Sequence, residues 1–222
     1  MAKSSSQSEF SQPKKRRPFT VFLIVDDRAM RESLAEILRN QKIEVQDYMT
    51  AMEFYRDYRE RKPGVVIADL NLRGMTGREL FDKVNEEYAE LPVMFLAGHA
   101  DAPTAIQGMR AGACDFLVKP VSAESLLAAA ARGYAWYYDT DWDFVGEDLD
   151  QIEESLARVT DREREVLDLI VDGLSSREIG TRLDVSTKTV EAHRARINDK
   201  MRAIDLPHLV RMMLAHADSQ SA

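Results

Sequence analysis

VFLIVDD, residues 21–27, sets five consecutive apolar residues directly against two carboxylates. The same pattern returns at VVIAD (65–69) and at FLVK (116–119), each apolar run ending in charge. Runs that are apolar almost throughout and rich in β-branched residues suit strands buried on both faces of a parallel sheet, and ligand chemistry in such sheets gathers just beyond the strands' carboxyl ends. Asp26, Asp27, Asp69 and Lys119 are therefore expected to meet in one crevice. Three carboxylates held together repel one another unless a cation lies among them. Hard oxygen ligands of this kind suit Mg²⁺, which commonly shares its coordination with water and a phosphate group. The pattern implies a site that handles a phosphoryl group.

Outward from these runs, the spacing predicts strands over 19–25, 43–47, 64–69, 92–96 and 115–118, alternating with helices over 28–40, 50–60, 76–88, 102–111 and 122–135. Such alternation implies an α/β domain, residues 19–136, built on a doubly wound five-stranded parallel sheet with right-handed crossovers. Pro63-Gly64, Leu91-Pro92 and Lys119-Pro120 punctuate it where turns are needed. Residues 1–18 are Ser/Gln-rich with a basic cluster at Lys14, Lys15, Arg16 and Arg17, and read as a solvated, disordered tail. Residues 137–155 read as an acidic and aromatic linker, with eight acids and no base over 139–154. Tyr134, Trp136, Tyr137, Tyr138 and Trp142 either clamp two domains together or complete a local core. A second domain follows over 156–216, then a short tail, 217–222.

With 222 residues, of which 45% are hydrophobic, the chain is long enough for two compact domains, or for one large one, without disulfides. Its one cysteine, Cys114, cannot form an internal bridge and reads as a small buried apolar residue. No apolar run approaches a membrane span, and the N-terminus lacks a signal-peptide hydrophobic stretch. A cytoplasmic location with no membrane partner is expected.

A carboxylate beside Mg²⁺ can attack phosphorus, because the metal and a lysine neutralise charge on the transferring oxygens. Asp69 is the candidate nucleophile; Asp26 and Asp27 would hold the metal with it and with the backbone carbonyl of Asn71, and Lys119 would pair with the incoming group. With IVDD (24–27), VVIADLNLRGMTG (65–77), GHADAPTAIQGMRAGACDF (98–116) and LVKP (117–120), residues 19–136 resemble the receiver domain of bacterial response regulators of the FixJ and NarL type. The resemblance implies a flavodoxin-like fold, phosphorylation of Asp69 by a histidine kinase, and no enzymatic activity beyond the domain's own phosphoryl transfer and dephosphorylation. Two departures stand out. Ala97 occupies the switch position where such receivers carry Thr or Ser, although the aromatic switch residue is present as Phe116. Leu72-Arg73-Gly74 stands where Met-Pro is expected, so that Arg73 adds charge near the site. Acceptance of phosphate is expected to be intact, and its coupling to output altered. His99 is either a substitute donor or a solvated loop residue.

Downstream, Thr160 with Glu163 and Ser175 with Glu178 have capping-box spacing, and Ser186 can cap a helix starting at Thr187. SSREIGTRL (175–183) and STKTVEAHRARINDKM (186–201), joined by Asp184-Val185, have the form of a helix-turn-helix. At about 100° per residue, Val190, Ile197 and Met201 face a core while Lys188, Glu191, Ala192, Ala195, Arg196 and Asp199 face away. Ala192 and Ala195 permit close approach to a groove, Glu191 could accept from cytosine, and Lys188, Arg194, Arg196 and Lys200 could contact phosphates or guanines. Thr189 and His193 suit a phosphate contact or a structural hydrogen bond. Residues 156–216, with TDREREVLDLIVDGLSSREIGTRLDVSTKTVEAHRARINDKM (160–201) followed by LPHLVRMMLA (206–215), resemble the LuxR/FixJ-type DNA-binding domain, an all-α four-helix module. The resemblance implies a last helix, around 207–217, that makes a dimer contact through Leu209, Met212 and Met213.

Together these features indicate a two-component transcriptional response regulator, and the resemblance implies a cognate histidine kinase, promoter DNA, RNA polymerase and, when active, a second copy of the chain as partners. One alternative is a regulator that Ala97 has freed from phosphate control. Another is a Mg²⁺-dependent aspartyl-phosphate hydrolase, but Asn71 stands where its second acid is expected and residues 186–202 would be left without a role.

Overall fold

A computed structural model describes residues 17–58, 62–98, 102–138 and 148–220. The basic tail up to residue 16, His99 and Trp142 lie outside the described residues. Five strands, β1 (Thr20–Ile24), β2 (Glu44–Tyr48), β3 (Gly64–Asp69), β4 (Val93–Ala97) and β5 (Asp115–Val118), form one sheet in the order β2-β1-β3-β4-β5, every pairing parallel. Five helices connect or follow them: α1 (Arg28–Asn40), α2 (Ala51–Asp57), α3 (Gly77–Glu87), α4 (Ala102–Arg110) and α5 (Ala123–Tyr138). The strand order reverses direction at β1 and β3, where the connections from these strands leave on opposite faces and open a crevice.

Successive strand residues point to opposite faces, and the cores divide accordingly. Phe22, Ile24, Val66, Ala68, Phe95, Ala97 and Phe116 pack under α2, α3 and α4. Val21, Leu23, Val65, Ile67, Met94, Leu96 and Leu117 pack under α1 and α5. Cys114 is buried, and that burial pushes its thiol pKa well above the usual range, as befits an inert apolar position.

α5 runs on to Tyr138 because its terminal aromatics find partners at the start of β1. Phe19 lies 5.2 Å from Tyr134 and 6.4 Å from Tyr138, ring centre to ring centre, and the Tyr138 hydroxyl donates to the Pro18 carbonyl. Among the described residues these aromatics complete a local core; Trp142 lies outside them.

The C-terminal unit contains α6 (Leu149–Leu156), α7 (Asp161–Val171), α8 (Ser176–Leu183), α9 (Thr187–Met201) and α10 (Leu206–Ser219). Residues 149–155, expected as linker, are thus helical: Asp148 caps α6, and Ile152 and Leu156 enter the core formed by Val166, Ile170, Ile179, Val190, Ile197, Met201 and Leu209. The helix was hidden by its acidity, which sits on the exposed side of a two-residue apolar stripe. Both capping boxes form, at Thr160/Glu163 and Ser175/Glu178, and Ser186 accepts from the Thr189 N–H. Between α8 and α9 the turn is tight enough that a Cβ on Gly180 would lie 2.8 Å from the Val185 carbonyl oxygen, which makes glycine necessary there.

Candidate functional site

The register Ile24↔Ala68 brings the acids after β1 beside Asp69, and Asp69↔Leu96 with Ala97↔Val118 brings Lys119 in from the other side. Asp69 is buried. One of its carboxylate oxygens, Oδ1, accepts the Asn71 N–H at 3.0 Å, and the other, Oδ2, is bonded to the Lys119 ammonium. The N-terminus of α3 packs so closely behind it that a Cβ on Gly77 would fall 2.4 Å from the Asp69 carbonyl oxygen. Asp26 is partly exposed, and its Oδ2 lies 3.4 Å from Arg73 Nε.

The Asp27 carboxylate caps α1, its Oδ1 accepting the Met30 N–H at 2.7 Å. An aspartate immediately before a helix satisfies one of the helix's free N–H groups, and one oxygen suffices for that. Among the described residues no three Asp, Glu, His or Cys side chains converge closely enough to hold a metal as they stand. Asp26, Asp69 and the Asn71 carbonyl nevertheless fit the requirements of Mg²⁺, which typically takes one or two carboxylates and retains several waters. A brace that the sequence did not reveal holds β1's end: Arg31 Nη1 donates to the Val25 carbonyl at 2.6 Å, and its Nε lies 3.5 Å from Asp47.

Ala97 is fully buried, and its carbonyl accepts the Lys119 N–H at 2.8 Å. Phe116, also fully buried, belongs to the same apolar cluster as Ala97 and Met109, and so does Val210 from α10. The C-terminal helix therefore reaches into the first domain's core. Beside Val210, Arg211 Nη1 donates to Asp115 Oδ1 at 2.7 Å, and the second oxygen of this buried carboxylate accepts from Arg132 Nε at 2.7 Å. A third contact joins Arg110 of α4 to Asp172 at 2.8 Å. Leu209, Met212 and Met213, expected as a free apolar surface, are buried in their own domain instead. The sequence signal for this junction was slight: one acid opening DFLV and one base inside LVRMM.

On α9, Lys188, Thr189, Glu191, Ala192, Ala195 and Arg196 are exposed together and form an open face. Three other candidates are placed differently. Arg194 is half-buried, and desolvation pushes its guanidinium pKa down, with Glu191 partly opposing. His193 is half-buried, with Nδ1 turned inward. Lys200 donates to Glu163 at 2.5 Å, tying the end of α9 to the capping box of α7. That ammonium and the Thr160 backbone N–H hold the Glu163 carboxyl down at about 2.

Residues 21–131 match the response regulator receiver domain family, and residues 157–213 match the luxR family of bacterial regulatory proteins. The transcriptional regulatory protein FixJ of Rhizobium meliloti is 35% identical over 89% of this chain and 96% of its own. The response regulator protein TodT of Pseudomonas putida is 30% identical over 91% of this chain and 88% of its own. Among solved structures, full-length FixJ from B. japonicum covers 90% of this chain and 97% of its own at 30% identity, with a TM-score of 0.52. The response regulator StyR covers 89% and 99% at 31% identity, also with a TM-score of 0.52.

Proposed function

This chain belongs to the response regulators that join a receiver domain to a luxR-type DNA-binding domain, and from that premise we propose that Asp69 is its phosphoacceptor and that phosphorylation there loosens the grip of the receiver on α10. It is a transcriptional regulator of a two-component system. The observation that carries the finer reading is the buried Asp69 carboxylate, set at a strand end between the Asn71 N–H and the Lys119 ammonium. This geometry orients one oxygen while leaving a cation to receive the incoming charge. Mg²⁺, held by Asp26, Asp69 and the Asn71 carbonyl, would neutralise the phosphoryl oxygens. Asp27 serves the site indirectly, by fixing the start of α1.

The phosphoryl donor is a cognate histidine kinase. Once Asp69 carries the phosphoryl group as an acyl phosphate, Lys119 can transfer its bond to the phosphoryl oxygens, and its backbone link to Ala97 transmits that shift into the cluster shared by Phe116 and Val210. The effect is a change of population between docked and released states of α10. Released, α10 offers Val210, Leu206 and Leu214 to a second copy of the chain, and the exposed face of α9 reads promoter DNA in the cytoplasm, where the regulator engages RNA polymerase. We place the receiver at 19–138 and the DNA-binding unit at 149–216, α6 included.

Intact-mass measurement after treatment with acetyl phosphate and Mg²⁺ tests the assignment. The expected result is one acid-labile phosphoryl group on the wild type and none on Asp69→Asn; equal labelling of the variant would refute it. A second reading, control without phosphate, is favoured by the buried methyl of Ala97 at the switch position. It is supported if Asp69→Asn leaves promoter occupancy unchanged in cells.

A further inference from the structure

Arg73 reaches across the mouth of the phosphoacceptor crevice to Asp26, Nε to Oδ2 at 3.4 Å, although its own side chain is 92% exposed. The backbone that carries it is well anchored. Leu72 is buried in the apolar core on one side, and Gly74 turns the chain with φ +85 on the other. The guanidinium is thus tethered close to the acids while charge alone holds it against Asp26. Asp26, Asp27 and Asp69 are set against Lys119 and Arg73, leaving a single excess negative charge; without Arg73 there would be two.

We propose that Arg73 is a built-in counter-ion of the acid pocket that competes with the divalent cation for Asp26, and so sets how much Mg²⁺ the site requires before Asp69 can be phosphorylated. The inference rests on the reading of Asp26 and Asp69 as metal ligands. Arginine stays charged across the physiological range, so only displacement releases Asp26, and the displaced guanidinium still lies near a dication that it repels. At about 7 Å in a water-like dielectric, one extra unit charge weakens dication binding by about sevenfold without salt and by about two- to threefold at ordinary salt. The arrival of a dianionic phosphoryl group reverses the sign, since the same guanidinium then faces excess negative charge. The penalty therefore falls on the metal-bound, unphosphorylated site.

Calorimetric titration of the full-length protein with MgCl₂ tests this without reference to activity. At ordinary salt Arg73→Ala is expected to bind Mg²⁺ about two- to threefold more tightly than the wild type, Arg73→Glu more tightly again, and Arg73→Lys close to the wild type. The gap between wild type and Arg73→Ala should shrink at high salt, as exposed charges are screened. Equal or weaker binding by Arg73→Ala, with Asp26→Asn abolishing binding in both backgrounds, would overturn the role of Arg73 and leave the metal assignment standing. Undiminished binding by Asp26→Asn would overturn both.

Discussion

Replacing Arg211 with Met should release the DNA-binding unit without any phosphate. Asp115 is fully buried and accepts from two guanidiniums, Arg132 from its own domain and Arg211 from α10. Breaking a buried ion pair outright costs about 3–5 kcal/mol because a charge is left uncompensated. Here Arg132 remains on Oδ2, so the loss is closer to one charge-assisted hydrogen bond, about 1.5–3 kcal/mol. Methionine refills much of the aliphatic volume, and Val210 keeps its place in the receiver core. At 1.4 kcal/mol per factor of ten, the docked-to-released ratio falls by about 10- to 150-fold. The assay is sedimentation velocity together with fluorescence anisotropy on one DNA site, both without acetyl phosphate. Arg211→Met should self-associate and bind DNA at lower concentration than the wild type, and gain less on phosphorylation. Arg132→Met is the contrasting variant: it joins β5 to α5 within the receiver, so it should lower the receiver's melting temperature. A folded Arg211→Met protein with unchanged sedimentation and unchanged DNA affinity would refute the latch.

Ala97→Thr buries a hydroxyl in the cluster around Phe116, at a cost of about 1–3 kcal/mol while no phosphoryl oxygen accepts from it, and recovers about 1.5–3 kcal/mol when one does. Melting curves with and without acetyl phosphate should therefore show a larger phosphate-dependent rise for the variant, and equal rises would contradict the reasoning. The Glu163 carboxyl is lowered from 4.5 to about 2 in the fold, so its contribution is fully present above about pH 4.5 and is lost as pH falls toward 2. Lys200→Met removes the main cause: denaturant titrations should find it about 1–3 kcal/mol less stable at pH 7, with the difference shrinking steadily as pH falls from 4.5 through about 2. Because the Lys200 ammonium is held by Glu163, Glu191→Ala rather than Lys200→Met should alter base preference, by about 1–3 kcal/mol at one position in a site-selection experiment.

Much of the receiver was legible because parallel strands buried on both faces write themselves as continuous apolar runs, and because Asp69 and Lys119 sit where such runs stop. Capping is equally local: Thr160, Ser175 and Ser186 each need only a partner three residues on, so their helices could be read one by one. Asp27 shows the limit, since the sequence does not reveal that one oxygen of its carboxylate caps α1, which the folded geometry does. Arg194 and Lys200 show it again on α9, where a helical wheel gives direction but not the neighbours that bury one and engage the other. The alternation of strands and helices through the receiver and the helix starts after Thr160, Ser175 and Ser186 were thus determined by sequence alone, because they follow from periodicity and from contacts between residues close in the chain. The docking of α10 was decided only by tertiary structure: Asp115 and Arg211 lie 96 residues apart, and nothing in the local pattern of either foretells a bond that exists only once both domains have folded and met.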